Sequence, residues 1–556
     1  MPTYTLGLDY GTSSVRGLLV DAADGREIAT SAFPYPHGVE GVLLDARDTL
    51  VARQHPQDYL DGAVAVIRGV LESAGRLLGF EAGQVVGLGV DTTGSTPLPV
   101  NAEGVPLALT PEGSDNLGAM VYLWKDHTAH AEAAEITALA SRMRPEYLAK
   151  CGGVYSAEWF WSKILHCLRT DPDVFDAAFT WAEHADWMPA VLTGTARPDR
   201  IKRGICAAGH KGLFHPDWGG YPDAEFLAAL DPKLADLRQT LPEEAFAVGS
   251  AAGLLSAEWA AKTGLPAGIP VSVGAIDAHL GAVGCGIRPG TLVKNIGTST
   301  CDMMVAPLHA PMPDIPGLCG IVPESILPGF YGLEAGQSAV GDIFNWFVGT
   351  IQPAGMDHAE LTAEAGLSPP GASGLLALDW HNGNRTVLVD HRLTGALLGM
   401  ALHTTPGEMY RAWIEATAFG ARVIKERLEE YGQPVEQIVV CGGISVKNPL
   451  VMQIYADILG RPIAVSRSSE AAALGAAVAG AVCAGVYPAF AEAIRAMTGL
   501  QPQEFAPNPQ SQAIYDRLYA QYRMVHDAFG VRGASTDLLG VMKELLLIRD
   551  EVRHDG

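Results

Sequence analysis

A six-residue motif occurs twice in this chain, and the two copies constrain its fold more than any other feature. Asp9-Tyr10-Gly11-Thr12-Ser13-Ser14 returns as Asn295-Ile296-Gly297-Thr298-Ser299-Thr300. Each copy ends an apolar segment, TLGLDY or TLVKNI, and opens another, VRGLLV or CDMMVA. Apolar runs joined through Gly and small hydroxyl residues read as two strands and a tight turn. Two such hairpins, 286 residues apart, imply two related halves that face each other across a cleft.

The remaining pattern is α/β. VVGLGVD (85–91) reads as a buried strand, and Asp24-Gly25 and Asn101 to Gly104 read as turns. From about Pro56 a helix carries Ala63, Ile67, Val70 and Leu71 on one face. Thr405-Pro406 starts another helix, which Gly432 ends, and PLVMQIYADILG runs to a stop at Gly460. PLHAPMPDIPG and QPAGMDHAELTAEAGLSPPGASG read as loops. The expected division is an N-terminal domain at 1–288, a C-terminal domain at 289–500 and a helical tail at 501–556 docked on the body.

Charge and cysteine usage narrow the function. A net charge of −24 opposes binding to a nucleic-acid backbone, which needs clustered Lys and Arg. It also opposes anionic membranes. The stretch AAALGAAVAGAVCAGVYPAF from Ala471 is poor in Leu and Ile and follows Ser468, Ser469 and Glu470. It reads as a buried helix rather than a membrane span. Eight cysteines without a C-x-x-C pair, and no basic, apolar leader at MPTYTLGLDYG, point to a reducing, cytoplasmic setting. The Ala-rich helices suit a homodimer interface or simply the core.

A glycine-hydroxyl hairpin suits phosphate. Gly11 and Gly297 let a ligand approach the backbone, while amides and the hydroxyls of Thr12, Ser13, Thr298 and Ser299 donate to anionic oxygens. Asp9 beside the first hairpin suits a hydrated Mg²⁺. No GxxxxGK[ST] motif and no GxGxxG between strand and helix compete with this reading. Cys441-Gly442-Gly443 follows the strand QIVV, a position where open sheets bind ligands and adenosine could stack. Asp277, after an apolar strand and at a helix start, reads either as a cap or as a base for a hydroxyl attacking a γ-phosphate. Its place between the hairpins favours the base, with His279 a structural neighbour. LWKDHT (123–128), GVYSAEWFWSKILH (153–166), CAAGHKG (206–212) and GLEAGQS (332–338) combine aromatic and polar groups that suit a polyhydroxylated ligand.

Together these residues resemble the FGGY family of carbohydrate kinases, over roughly residues 5 to 485. The resemblance implies two actin-like, ribonuclease H-like α/β domains facing a central cleft, with ATP and Mg²⁺ as cofactors. It assigns Asp9 to Arg16 to the first phosphate hairpin, Gly297 to Cys301 to the second, and Gly442 to Asn448, including Gly443 and Lys447, to adenosine. Gly395-Ala-Leu-Leu-Gly399 and the helix to Glu415 match a family signature, with Trp413 where a smaller residue is usual. Lys163 in SKILH keeps part of another. DTTGSTP (91–97), LWKDHTA, YSAEWFWSKILH, AGHK and GLEAGQSAVGDIFNWF resemble most the members that phosphorylate L-ribulose. The implied roles are Asp277 as base, and Lys211, Glu334, the backbone near Gly94, Trp124, Asp126 and Glu158 as sugar contacts. Gly341 and Asn345 would touch adenine, Asn345 replacing the Gln of some relatives. Three alternatives remain open here: a kinase for another ketose or polyol such as D-ribulose or ribitol, a ribokinase-type enzyme, and a non-catalytic actin-like or chaperone-type ATPase.

Overall fold

Both hairpins form, and each begins a sheet. In the computed structural model, which describes residues 2–351 and 355–554, β1 (Tyr4–Tyr10) turns into β2 (Ser14–Asp21), followed by β3 (Glu27–Pro34). Further on come α1 (Pro56–Ala74), β4 (Val85–Thr92), α2 (Phe160–Thr170), α3 (Ile205–Gly212), β5 (Ala251–Leu254), β6 (Pro270–Ser272), β7 (Ala275–Ile276) and α4 (Asp277–Gly284). The second series is β8 (Thr291–Ile296), β9 (Thr300–Pro307), β10 (Gly320–Pro323), β11 (Phe330–Ala335), α5 (Gly341–Trp346) and α6 (Pro406–Glu430). It continues with β12 (Gln437–Cys441), α7 (Pro449–Leu459), β13 (Ile463–Ser466), α8 (Ala471–Cys483), β14 (Leu500–Phe505), α9 (Pro509–Gly530) and α10 (Val541–His554).

The two sheets are built alike. The first has the order β3-β2-β1-β4-β6-β5, with β7 extending the pairing to β4, and the second β10-β11-β9-β8-β12-β13-β14. In each, the hairpin and its third strand pair antiparallel, two parallel strands follow, and an antiparallel strand closes the edge. The motif duplication is therefore a duplication of the sheet. Parallel strands buried on both faces need continuous apolar runs, which Leu6, Leu8, Leu88 and Val90 supply in the first sheet and Leu292, Ile438 and Val440 in the second.

The halves meet through α8. This helix belongs to the second series in sequence but lies on β1 and β4 of the first sheet and against α4. Its Ala and Gly residues bring backbone against backbone: a Cβ on Gly7 would stand 1.9 Å from the Ala473 carbonyl oxygen, and one on Gly475 1.8 Å from that of Leu280. Among the described residues no helix is long and apolar enough to cross a membrane, and α8 is buried almost throughout.

Two sequence expectations change. The stretch after Met356 is not all loop: His358–Leu367 is a helix, started by a reciprocal Asp357–Glu360 capping box; Gln352 to Ala354 lie outside the described residues. The segment from 501 does not open as a helix, since β14 pairs with β13 and closes the second sheet. Polar, exposed alternation in LQPQEF hid an edge strand. α9 then buries Tyr515, Leu518 and Tyr522 against α6 and its surroundings.

Because the α8 crossing leaves no room for a methyl group, Gly475→Ala should lower stability by about 3 kcal/mol. Gly83→Ala, where no atom lies within 4 Å of the added carbon, should stay within about 0.5 kcal/mol. Urea titration of both variants measures the contrast; equal midpoints would refute the tight crossing.

Candidate active site

Each half contributes one hairpin to a single cavity. In the first, the Gly11 amide donates to the Ser14 carbonyl at 2.9 Å; in the second, the Gly297 amide donates to Ser299 at 3.0 Å. Thr12 from one turn and Gly297, Thr298 and Ser299 from the other line the same cavity of about 240 Å³, together with Gly94, Trp124, Glu158, Lys211, Asp277 and Glu334. A smaller adjoining recess is lined by Asp9, Gly11, Thr12, Ser13, Arg16, Asp277 and Asn295. Asp277 is common to both. Arg16 is exposed and bonded to Glu470 at 3.0 Å, just before α8.

Asp277 opens α4, and its Oδ1 accepts from the Ala278 amide at 2.6 Å. Burial, reinforced by the Asp9 carboxylate, pushes its pKa up to about 7. Asp9 sits in parallel register with Asp91 on β4. Burial raises both, and Asp91 is raised much further, by burial first and then by the Asp9 and Asp277 carboxylates. Asp91 was not among the sequence candidates. Its signal was its likeness to Asp9, an aspartate ending an apolar strand before small polar residues.

The cavity floor is an ion pair between the halves. Lys211 Nζ on α3 donates to both oxygens of Glu334 on β11, at 2.9 and 3.0 Å. His210 Nδ1 lies 3.1 Å from Glu334, and its Nε2 is 2.9 Å from Ser325 Oγ. Burial would lift the Glu334 carboxyl, but Lys211 and His210 hold it well below the usual carboxylate range. Burial lowers His210 and, with His210, lowers His279 far more, so both rings are neutral. His279 is 3.6 Å from Glu334 and packs against His210.

Two contacts tie the sugar-side loops to the first hairpin. Trp124 Nε1 donates to Thr12 Oγ1 at 3.0 Å. Lys163 on α2 donates to the Ser95 and Leu123 carbonyls at 2.8 and 2.9 Å, joining the Gly94 turn to the Trp124 segment.

The adenosine-side candidates converge less completely. The Val340 and Asp342 amides donate to the Thr298 carbonyl, at 2.8 and 3.1 Å, and Gly341 to Gly297 at 3.1 Å, so α5 starts on the second hairpin. The Gly442-Gly443 turn follows β12, beside β8 and therefore beside that hairpin. Lys447 is exposed. Asn345 is exposed and bonded to His358 at 3.1 Å. Asn448 uses its amide to cap α7 through Val451 and to donate to Thr362, so its side chain is engaged in structure rather than presented to a base. Asp126 is likewise engaged within the fold. Its buried carboxylate pairs with Arg53, accepts from the Ala52 amide at 2.7 Å and from Thr128, and does not line the cavity. Sequence reasoning also passed over Cys151, Cys319 and Arg385, which do line it. Arg385 lies in a stretch with no motif.

The same organisation is found in known proteins. Residues 4–284 match the N-terminal domain of the FGGY family of carbohydrate kinases and residues 292–484 its C-terminal domain. The chain is 42% identical over 541 residues to a ribulokinase of Vibrio parahaemolyticus, covering 94% of this chain and 95% of the other. It is 41% identical to a ribulokinase of Shouchella clausii, covering 98% of each. Among solved structures, xylulose kinase from Rhodospirillum rubrum superposes with a TM-score of 0.76 at 25% identity, over 94% of this chain and 98% of that one. Plasmodium falciparum glycerol kinase with ADP, at 15% identity, shares the fold with a TM-score of 0.75, over 94% and 98%. With both domain models matched in order around a cleft that joins two hairpins, the chain belongs to the FGGY family of carbohydrate kinases.

Proposed function

We propose that this chain transfers the γ-phosphoryl group of ATP to O5 of L-ribulose, with Asp277 as the general base, in the cytoplasm. The observation that carries the mechanism is the position of Asp277 between two phosphate-type hairpins and the Lys211–Glu334 pair, with its pKa raised to about 7 by burial and Asp9. A carboxylate of that basicity removes a hydroxyl proton in the course of transfer and still exists as a base at neutral pH. Near-full-length identity of about 40% to ribulokinases supports the substrate, and eight free cysteines suit a reducing compartment.

The sugar would lie on the floor formed by Lys211 and Glu334, against Trp124, Glu158 and the Gly94 turn. Hairpin amides and the hydroxyls of Thr12, Ser13, Thr298 and Ser299 would hold the phosphates and stabilise the transferring charge. The half-buried Asp9 carboxylate, in a recess of oxygen and amide donors, fits a hydrated Mg²⁺, which takes one or two carboxylates and keeps its waters. Bound there, the ion supplies charge neutralisation to the phosphates.

Asp277→Asn should cut kcat by at least about 100-fold and leave the ATP dissociation constant within a few-fold, as read by steady-state kinetics and calorimetry. Near-normal turnover would remove Asp277 from the role. Since the base form exists above its raised pKa, kcat/KM for L-ribulose should fall about tenfold per pH unit below about 7 and level off above it.

Lys211 and Glu334 are both nearly inaccessible to solvent. Glu334→Ala should therefore destabilise the fold by about 3–5 kcal/mol, because it strands a buried ammonium. Lys211→Met combined with Glu334→Leu should recover much of that stability but bind no sugar. Thermal melts and sugar titration separate the two effects.

A further inference from the structure

Arg385 is a half-buried guanidinium that the reaction above does not use. It lies in the loop between the paired strands Leu376–Leu378 and Ala396–Leu398, in the second half, and lines the sugar cavity. The fold makes a bed for it. Gly336 follows β11, and a Cβ there would stand 2.1 Å from Arg385 Nη2. Nη2 donates to the Thr300 carbonyl at 2.5 Å and lies 3.5 Å from Cys301 Sγ. Nε is buried without a partner among the described residues. Glu334 and, from the other half, Glu158 are the carboxylates in its field.

The donor and acceptor inventory of the cavity gives this arrangement a purpose. Two permanently charged cations line it, and Lys211 is bound to both oxygens of Glu334. Lys211 has one of its three protons left, whereas Arg385 spends one of five N–H groups on the Thr300 carbonyl, so most of the unfilled cationic donors are those of Arg385. A guanidinium donates only, in a fixed planar fork, and never loses its proton. An open-chain 2-ketose has one oxygen that accepts only, its carbonyl; every hydroxyl both donates and accepts. We propose that Arg385 is a specificity-determining contact that donates to the ketose carbonyl, so that the cavity selects a 2-ketose over the corresponding polyol. This rests on the ketose-kinase reading above.

The two substrate types should respond differently to losing the fork. Without it the carbonyl is left with no donor, whereas a hydroxyl at the same carbon can turn its proton toward Glu158 or Glu334. The experiment compares L-ribulose and ribitol on the wild-type protein and on Arg385→Met, Arg385→Gln and Arg385→Lys, with folding checked by thermal melt. For Met and Gln, kcat/KM should fall about 30- to 100-fold for L-ribulose and less than about fivefold for ribitol. KM for ATP should stay within about twofold, and Lys should be intermediate. Equal losses on both substrates, or a rise in KM for ATP alongside them, would mean that Arg385 only props the Thr300 hairpin and would overturn the inference. An undiminished preference for the ketose would overturn it too. A wild-type protein that turns over ribitol but not L-ribulose fails the underlying reading, before any variant is compared.

Discussion

The structure depends on one close approach: α8 lying backbone to backbone on β1, β4 and α4. A helix whose inner face is Ala and Gly has almost no side-chain volume to hold its neighbours off, so the distance is set by main-chain van der Waals contact. The Ala473 carbonyl occupies the space over Gly7, and the Leu280 carbonyl the space over Gly475. These contacts fix more than stability. β1 ends in the first hairpin, α4 begins at Asp277, and α8 is preceded by Glu470, which holds Arg16. One packing contact therefore sets the phosphate turn, the raised carboxylate and the second half relative to one another. Dispersion summed over such an interface is large although each contact is weak. It is also intolerant, since one methyl group has nowhere to go.

Electrostatics in the cleft divide along the same line. Three aspartates, Asp9, Asp91 and Asp277, gather where the first sheet ends; burial raises all of them, and the Asp9 carboxylate adds repulsion at Asp91 and Asp277. At the floor the opposite holds: Lys211 and His210 keep Glu334 ionised despite complete burial. Two carboxylate environments in one cavity thus have opposite pKa directions. That separation is how one site holds a base poised near neutrality and a permanent anion. The base takes its basicity from lack of solvation, and the anion keeps its charge through a partner from the other half.

Much of this was legible in the sequence, and the part that was not has physical causes. Gly-Thr-Ser between apolar strands leaves few conformations, so the hairpins and the paired sheets could be read directly. The helices at Pro56, Pro406 and Pro449 announced themselves through Pro at the first turn and apolar periodicity. β14 could not be read that way, because an edge strand with one face in solvent needs little apolar pattern. The pairing of Asp126 could not be read from its place near a tryptophan, because its partner Arg53 is 73 residues away in sequence. The cap that Asn448 makes was hidden because a helix cap and a base contact call for the same amide. Arg385 was missed because its place in the cavity depends on the missing Cβ of Gly336, whose space its guanidinium takes, and no spacing in a sequence records that. Contacts between distant segments are the common element in each miss.

The link from Trp124 to Thr12 bears on how such a site avoids transferring phosphate to water. The indole that lines the sugar cavity donates to the hydroxyl of the first phosphate turn. Its segment is held by Lys163, which also holds the Gly94 turn. A sugar pressing on Trp124 or on that turn therefore acts on one rigid unit whose other end is the phosphate hairpin. Lys163 makes the unit stiff: an ammonium buried among carbonyl oxygens, its pKa lowered to about 7 by that burial, has nowhere else to place its protons. On the proposed reading, the contact that would register the sugar is the one that orients the Thr12 hydroxyl of the phosphate turn, so acceptor binding and the geometry of transfer share one hydrogen bond.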